Sequence, residues 1–423
     1  HDAHAPITEW QIYQRAEVAH VRVQRLHLQA RHRILDASVP MRRRRVVVGR
    51  RHHGIDAPEL ATGHAQAFES LRAGHLMDQV PIDIQQRGTI LLGTHDMVFP
   101  EFFVQRSRRS AHIGPMTGID RLTDSAFITA DGAELPISSW TTPSPKAIVI
   151  ALHGFNDYRR FFSLTAEYLQ QQQISCYAYD QRGFGASPNT GIWAGSDTYA
   201  RDLAKFTALI KARHPGVPVY LLGESMGGAI ILDAMTRPQK PEVAGIILSA
   251  PAVWGRQTMP WYQTSLLWTL SYTLPWLTLT GQGLEIMPSD NIEMLRALGR
   301  DPLVIKETRV DALYGLTNLM DSALSSAEKL QADTLLLYGK KDQIVPPEPT
   351  RLFIGTMLAE QPENKTIAYY DNGYHMLLRD LQAPLIWRDI VHWIFNAKSR
   401  LPSGADQNSS EFVQLQNARY SEN

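Results

Sequence analysis

From about residue 125 to residue 397, short apolar runs bounded by turn residues alternate with longer stretches whose apolar side chains recur every three or four positions. Continuous apolar runs of four to eight residues read as strands covered on both faces, and the periodic stretches read as helices. Ala126–Ala130 and Glu134–Trp140 flank Asp131-Gly132, a tight-turn dipeptide, and predict an opening hairpin. Lys146–Leu152, Ser175–Asp180, the run from Val219 that stops at Gly223, and Val243–Ser249 read as the next strands. Thr334–Tyr338 and Thr366–Tyr370 follow later, with helical spacing over Thr198–Arg213 and Ala383–Asn396. This alternation predicts βαβ units: an α/β fold with a mostly parallel sheet flanked by helices.

Between Pro251 and about Leu330 the alternation stops, after the sixth predicted strand. Trp254, Trp261, Trp268 and Trp276 place four of the nine tryptophans in this segment, among Leu266, Leu267, Leu270, Leu274 and Leu277. The run LLWTLSYTLPWLTL is too short, and too broken by Ser, Thr and Pro, to cross a bilayer. It predicts a helical cap with an apolar underside.

The strand beginning at Val219 ends in Gly223-Glu224-Ser225-Met226-Gly227 and passes at once into a small-residue helical pattern. In a strand–sharp turn–helix context, G-x-S-x-G presents its serine as a nucleophile. Glycines at both ends leave room for a strained Ser225 backbone and a close strand–helix approach. A serine nucleophile needs a base, and the base needs an orienting acid. Asp342 lies in the turn after the strand Thr334–Tyr338, and His375 in a Gly-containing loop after Thr366–Tyr370. Of the other histidines beyond residue 115, His214 ends a helix before Pro215, His392 sits within the amphipathic LIWRDIVHWIF, and His153 reads as a loop brace. Asp371 and Asp380 compete as the acid but lack the strand-then-turn placement of Asp342. An oxyanion hole is expected from the backbone N–H groups of Phe155, in the His153-Gly154-Phe155 loop after the third strand, and of Met226. Asp157 reads as a helix N-cap, and Asp180 with Arg182 as a structural ion pair.

HGFNDY, YDQRGFG, GESMGG, the Asp342 turn and the GYH loop resemble the α/β-hydrolase superfamily, in particular its monoacylglycerol lipase and lysophospholipase branch, whose family label is serine aminopeptidase-like. The resemblance runs from about Ser125 to Ala397. It implies a catalytic triad of Ser225, His375 and Asp342, N–H donors from Phe155 and Met226, and a cap inserted at about 251–330. Two departures stand out: many monoglyceride lipases have histidine in place of Glu224, and their oxyanion loop carries a further glycine in place of Asn156. The implied activity is hydrolysis of carboxylic esters of single-chain lipids, monoacylglycerol or lysophospholipid, through an acyl-enzyme. A peptidase of the proline-aminopeptidase type and a general carboxylesterase are the alternatives, since a triad does not distinguish ester from amide. Trp254, Trp261 and Trp268 are the candidate substrate-binding residues of an acyl groove; contact with a membrane surface is the second reading of the same tryptophans.

Composition changes the picture at the ends of the chain. Residues 1–115 hold 16 Arg, no Lys, 11 of the 15 His and 11 acidic residues, so a whole-chain formal charge of zero hides a basic segment. Its MRRRRVVVGRRHHG run could suggest nucleic acid. The lack of sustained periodicity and of lysine reads instead as a mis-called extension upstream of a product starting near Met116, or as a poorly ordered basic arm, with no nucleic-acid partner. The hydrolase domain is then expected over 116–397, with a disordered Ser-, Asn- and Gln-rich tail over 398–423. The single cysteine, Cys176, excludes an internal disulfide and reads as a buried thiol. No metal-ligand spacing and no phosphate loop occur, so the expectation is an enzyme without cofactor or metal. No signal peptide or spanning segment is recognisable, which suggests a cytoplasmic protein or one peripheral at a membrane surface.

Overall fold

The computed structural model describes residues 118–281, 285–360, 362–396 and 399–407. The Arg/His-rich segment 1–115, the start at Met116 and residues 408–423 of the expected tail lie outside the described residues. An antiparallel meander opens the fold: β1 (Arg121–Leu122), β2 (Ala126–Ile128) and β3 (Glu134–Trp140), with Gly132 at φ 84 turning the β2–β3 hairpin. β4 (Ala147–Leu152) follows, then a 3-10 turn at Arg159–Phe162, α1 (Ser163–Gln171) and β5 (Ile174–Tyr179). Next come α2 (Ser196–Arg213), β6 (Val219–Glu224), α3 (Met226–Met235) and β7 (Gly245–Ser249). Beyond the cap lie β10 (Thr334–Gly339), α7 (Pro347–Glu360), β11 (Lys365–Tyr370) and α8 (Ala383–Asn396).

Nine strands form one sheet in the order β1-β2-β3-β5-β4-β6-β7-β10-β11. From β5 across to β11 every neighbouring pair is parallel, and β3 joins β5 antiparallel. The α/β class expected from the alternation is the one observed. β1 was not expected, so the predicted sixth strand is β7. Every residue of β4, β5, β7 and β10 is buried, as continuous apolar runs require when helices cover both faces. One face packs under α2, α3 and the helix Val310–Ser325 through Leu203, Phe206, Ile230 and Leu319, the other under the 3-10 turn, α1 and α8 through Phe162, Leu169, Ile386 and Trp393. Cys176 is wholly buried in β5, and burial pushes its thiol up.

The cap between β7 and β10 contains α4 (Trp261–Thr273), β8 (Thr278–Thr280), α5 (Ile292–Arg300), β9 (Glu307–Arg309) and α6 (Val310–Ser325). It is not wholly helical, since β8 and β9 form an antiparallel ribbon. α6 belongs to the core on one face, where Leu319, Ala323 and Leu324 are buried. The tail is ordered further than its composition suggests. Leu401 and Ala405 are buried, Tyr369 donates its N–H to Ala405 O, and Ser403 donates to Asp389, so residues 399–407 are anchored to β11 and α8. Among the described residues no helix is long and apolar enough to cross a membrane.

Candidate active site

β6 ends at Glu224 and α3 begins at Met226, leaving Ser225 as the single residue of the turn, at φ 53 and ψ −113. Positive φ costs an L-residue roughly 1–2 kcal/mol, and it persists only where the surroundings hold it. Here the Ser225 N–H donates to Ser249 O at 3.0 Å, and the Ser225 carbonyl accepts from Ala229 and Ala252. The flanking glycines are demanded by approach. A Cβ on Gly223 would lie 2.4 Å from Gly228 N, and one on Gly227 would lie 2.2 Å from Leu152 O. Met226 opens α3, so its N–H has no partner within the helix, and the helix dipole favours negative charge there.

Register brings the second loop to this turn. Leu152 pairs with Gly223, so the loop leaving β4 emerges beside the elbow, where a Cβ on Gly154 would sit 3.5 Å from Ser225 Cβ. His153 braces that loop, as expected. It is wholly buried; Nε2 accepts from Gln181 N–H at 3.0 Å, which leaves the proton on Nδ1 to donate to Gly154 O at 2.8 Å. Burial pushes its pKa down, and the ring stays neutral. Phe155, next in the loop, packs T-shaped against Phe184 and tilted against Trp193.

The adjacent parallel strands β10 and β11 end at the same sheet edge, where ligands of open α/β sheets bind. Asp342 Oδ1 accepts the N–H groups of Ile344 and Val345 at 2.8 and 3.0 Å, while Oδ2 lies 2.8 Å from His375 Nδ1. The two loops are tied by Lys341 N–H to Gly373 O. Burial opposes charge on His375, but the charge and hydrogen bond of Asp342, then the charge of Glu224, outweigh it and raise its pKa above the ordinary imidazole value. The competing acids are otherwise engaged. Asp371 faces Lys340 at the surface; Asp380 accepts from Ser289 Oγ and Tyr374 N–H, and burial pushes its carboxyl up to about 6. His214 bonds Tyr177 Oη, and His392 bonds Ser399 Oγ at the surface of α8.

Two expected partnerships are different in the structure. Asp157 caps no helix, since neither the 3-10 turn nor α1 has a side-chain cap; its Oδ1 accepts Tyr158 N–H and its Oδ2 accepts from Arg379 Nη1 at 2.7 Å. Asp180 and Arg182 do not pair with each other. Asp180 binds Arg159, whereas Arg182 bridges Asp131 and Asp202. Arg379 was missed by sequence reasoning. Its Nη2 donates to Glu224 Oε1 at 2.6 Å, so a buried guanidinium joins the residue before Ser225 to Asp157. The signal was a carboxylate, Glu224, inside an otherwise apolar and glycine-rich elbow, which demanded a cation from elsewhere.

The cap reaches the site through Asn156. At φ 65 this residue donates from Nδ2 to Thr308 Oγ1 at 2.6 Å, and its carbonyl accepts Ile305 N–H at 3.0 Å. The tryptophans do not form the expected inward groove. Trp254 packs half-buried against the core, but Trp261 and Trp268 are 78% and 54% exposed, and α4 has no buried residue. Apolar side chains occur all around α4, so no single stripe turns it inward. Among the described residues no group of His, Cys, Asp or Glu is disposed to hold a metal ion.

The family described as serine aminopeptidase, S33, matches residues 143–382. Monoglyceride lipase of Homo sapiens is 27% identical over 274 residues, covering 63% of this chain and 88% of that protein. Monoacylglycerol lipase of Mycolicibacterium smegmatis is 24% identical over 291 residues, covering 64% and 96%. The crystal structure of Paleococcus ferrophilus monoacylglycerol lipase aligns with a TM-score of 0.54 and 25% identity, over 63% of this chain and all (100%) of that one. A soluble variant of the Saccharomyces cerevisiae monoglyceride lipase, solved with a substrate analog, aligns with a TM-score of 0.56 at 20% identity over 68% and 99%, and at that identity shows the fold alone. With that family covering more than half its length, the chain belongs to the serine aminopeptidase S33 family of α/β-hydrolases, in the monoacylglycerol lipase-like branch.

Proposed function

We propose that this protein is a serine hydrolase of carboxylic esters of single-chain lipids, monoacylglycerol or lysophospholipid. The observation that carries the reading is a serine held at φ 53 at the same sheet edge as a His375–Asp342 pair 2.8 Å apart. In this reading Ser225 Oγ attacks the ester carbonyl carbon while its proton passes to His375 Nε2. Asp342 orients the ring and balances the imidazolium, and the N–H groups of Phe155 and Met226 receive the oxyanion. The carbon–oxygen bond then breaks, the alcohol leaves with the proton from His375, and water, deprotonated by the same nitrogen, releases the fatty acid and restores Ser225. The names of the monoglyceride and monoacylglycerol lipase relatives support the ester class.

The cap supports a lipid substrate and a lipid surface as its source. Trp261, Trp268 and Trp276 are exposed beside Leu266, Leu274 and Leu277, and tryptophan suits the boundary between water and acyl chains. The test is a chromogenic ester series from acetate to long acyl chains, run beside a proline amide and with a fluorophosphonate probe. Each added methylene that is buried contributes about 0.8 kcal/mol, so kcat/KM should rise about three- to fourfold per carbon until the acyl site is full. The probe should label Ser225, and Ser225→Ala should abolish both labelling and turnover. A flat chain-length profile, or a proline amide cleaved faster than any ester, defeats the lipid reading.

A further inference from the structure

We propose that Glu224, held by Arg379, is a positioning residue for the reaction: it locks the nucleophile turn to the loops bearing His375 and the oxyanion donors, and its negative charge favours the imidazolium that His375 must become. The inference rests on the serine hydrolase reading above. Its basis is geometric. Glu224 is covalently next to Ser225, so it cannot move without moving the nucleophile. Arg379 lies four residues after His375, in a loop turned by Arg379 N–H to Met376 O. Asp157 lies three residues after Gly154, in a loop closed by Asp157 N–H to Gly154 O. One guanidinium donates to both carboxylates, at 2.6 and 2.7 Å, and all three side chains are buried. It therefore joins three loops separated by 155 and 222 residues of sequence through a single rigid fork.

The composition of the cluster shows that it does more than fill space. Two carboxylates share one cation, leaving a negative excess at the floor of the site. Among the described residues, Glu224 Oε2 and Arg379 Nε are buried without a hydrogen-bond partner. A network chosen for stability alone would satisfy those atoms or be replaced by apolar side chains. The charged groups bearing on His375 are Asp342 and Glu224, which favour its charge, and Arg379, which opposes it. Burial pushes the Glu224 carboxyl's pKa up and the charge of Asp157 adds to that, while Arg379, hydrogen-bonded to it, and His375 favour its ionised form, with Asp380 at the margin. Glu224 is thus a second carboxylate acting on the base besides Asp342, and it comes from the strand that carries the nucleophile.

The test is the pH dependence of kcat/KM for a soluble short-chain ester, with wild type, Glu224→Gln and Arg379→Lys. The acidic limb reports the base of the free enzyme. Removing a carboxylate that favours the imidazolium lowers the pKa of His375, so in Glu224→Gln the limb should move to lower pH by roughly half a unit or more, with kcat about tenfold lower and KM within about twofold. Arg379→Lys keeps the cation but loses the fork; its limb should stay near wild type while kcat falls. If Glu224→Gln does not fold, the neutral set Glu224→Gln/Asp157→Asn/Arg379→Met removes the same negative excess without stranding a charge and should show the same displacement of the limb. An unmoved limb in the folded variant, or a change confined to KM, overturns the proposal. Fluorophosphonate labelling separates the two readings: wild type labelled at Ser225 with an unmoved limb sinks only this inference, whereas wild type unlabelled at Ser225 sinks the serine hydrolase reading with it.

Discussion

Gly227→Ala tests whether the approach of α3 to β4 sets the activity. The new Cβ would stand 2.2 Å from Leu152 O, 2.7 Å from Leu152 C and 2.9 Å from His153 O, all backbone atoms. Carbon atoms of this type essentially never come within 3.0 Å of such a neighbour, so the strand end or the helix must retreat by about 0.8 Å. Overpacking of this kind costs about 1–3 kcal/mol, and alanine returns ~1 kcal/mol of helix propensity, leaving a net loss of up to about 2 kcal/mol. For a domain of this size that is a fall in Tm of up to about 8 °C. The kinetic effect should be larger, because the displaced carbonyls begin the loop that carries Phe155. A shift near 1 Å in a catalytic frame costs about 100-fold, so kcat should fall by about that factor while KM changes little. Thermal unfolding and short-ester kinetics give both numbers. Gly299→Ala is the control: a Cβ there meets nothing within 4 Å on the exposed α5, so Tm should hold or rise slightly and kcat should be unchanged. A Gly227→Ala enzyme with kcat within threefold of wild type would refute the idea that this close approach fixes the loop carrying Phe155.

Two further outcomes follow from the cap. Asn156→Ala should destabilise by about 2 kcal/mol in thermal unfolding, since it loses the bond to Thr308 and leaves an alanine at positive φ; Asn156→Gly loses the same bond but accepts that backbone, so it should cost only about 1 kcal/mol. Equal losses for both would contradict the strain account. Trp261→Ala/Trp268→Ala should leave hydrolysis of a soluble short ester within twofold while lowering binding to phospholipid vesicles by about tenfold or more, as removing two interfacial aromatic rings requires. Unchanged vesicle binding, or a loss confined to the soluble ester, would refute a surface-binding role for these side chains.

The core sheet was legible because its determinants are local. β4, β5, β7 and β10 are buried on both faces, which forces unbroken apolar runs that no amphipathic helix would show. Bounds shifted by a residue or two where end residues fray out of the ladder, and β1 escaped notice because two residues carry no period. Composition marks residues 399–407 as tail, yet buried Leu401 and Ala405, with the bonds of Ser403 to Asp389 and of Tyr369 N–H to Ala405 O, anchor them to a finished core.

By itself the sequence determined the strand–turn–helix around Ser225, since Gly223 and Gly227 are required by backbone contacts that only glycine permits. It also determined which loops bear Asp342 and His375, because each follows an unmistakable strand. Tertiary structure alone decided the partners of the charged residues. Glu224 and Arg379 are 155 positions apart, and Arg182 had several acids within reach of its sequence neighbourhood but meets Asp131 and Asp202. A buried charge must find an opposite one wherever the folded chain delivers it, and no local pattern encodes that address. The same holds for α4. Apolar all around, it has no face that its period can assign to the interior, and only the packing of the cap onto the core left Trp261 and Trp268 in solvent.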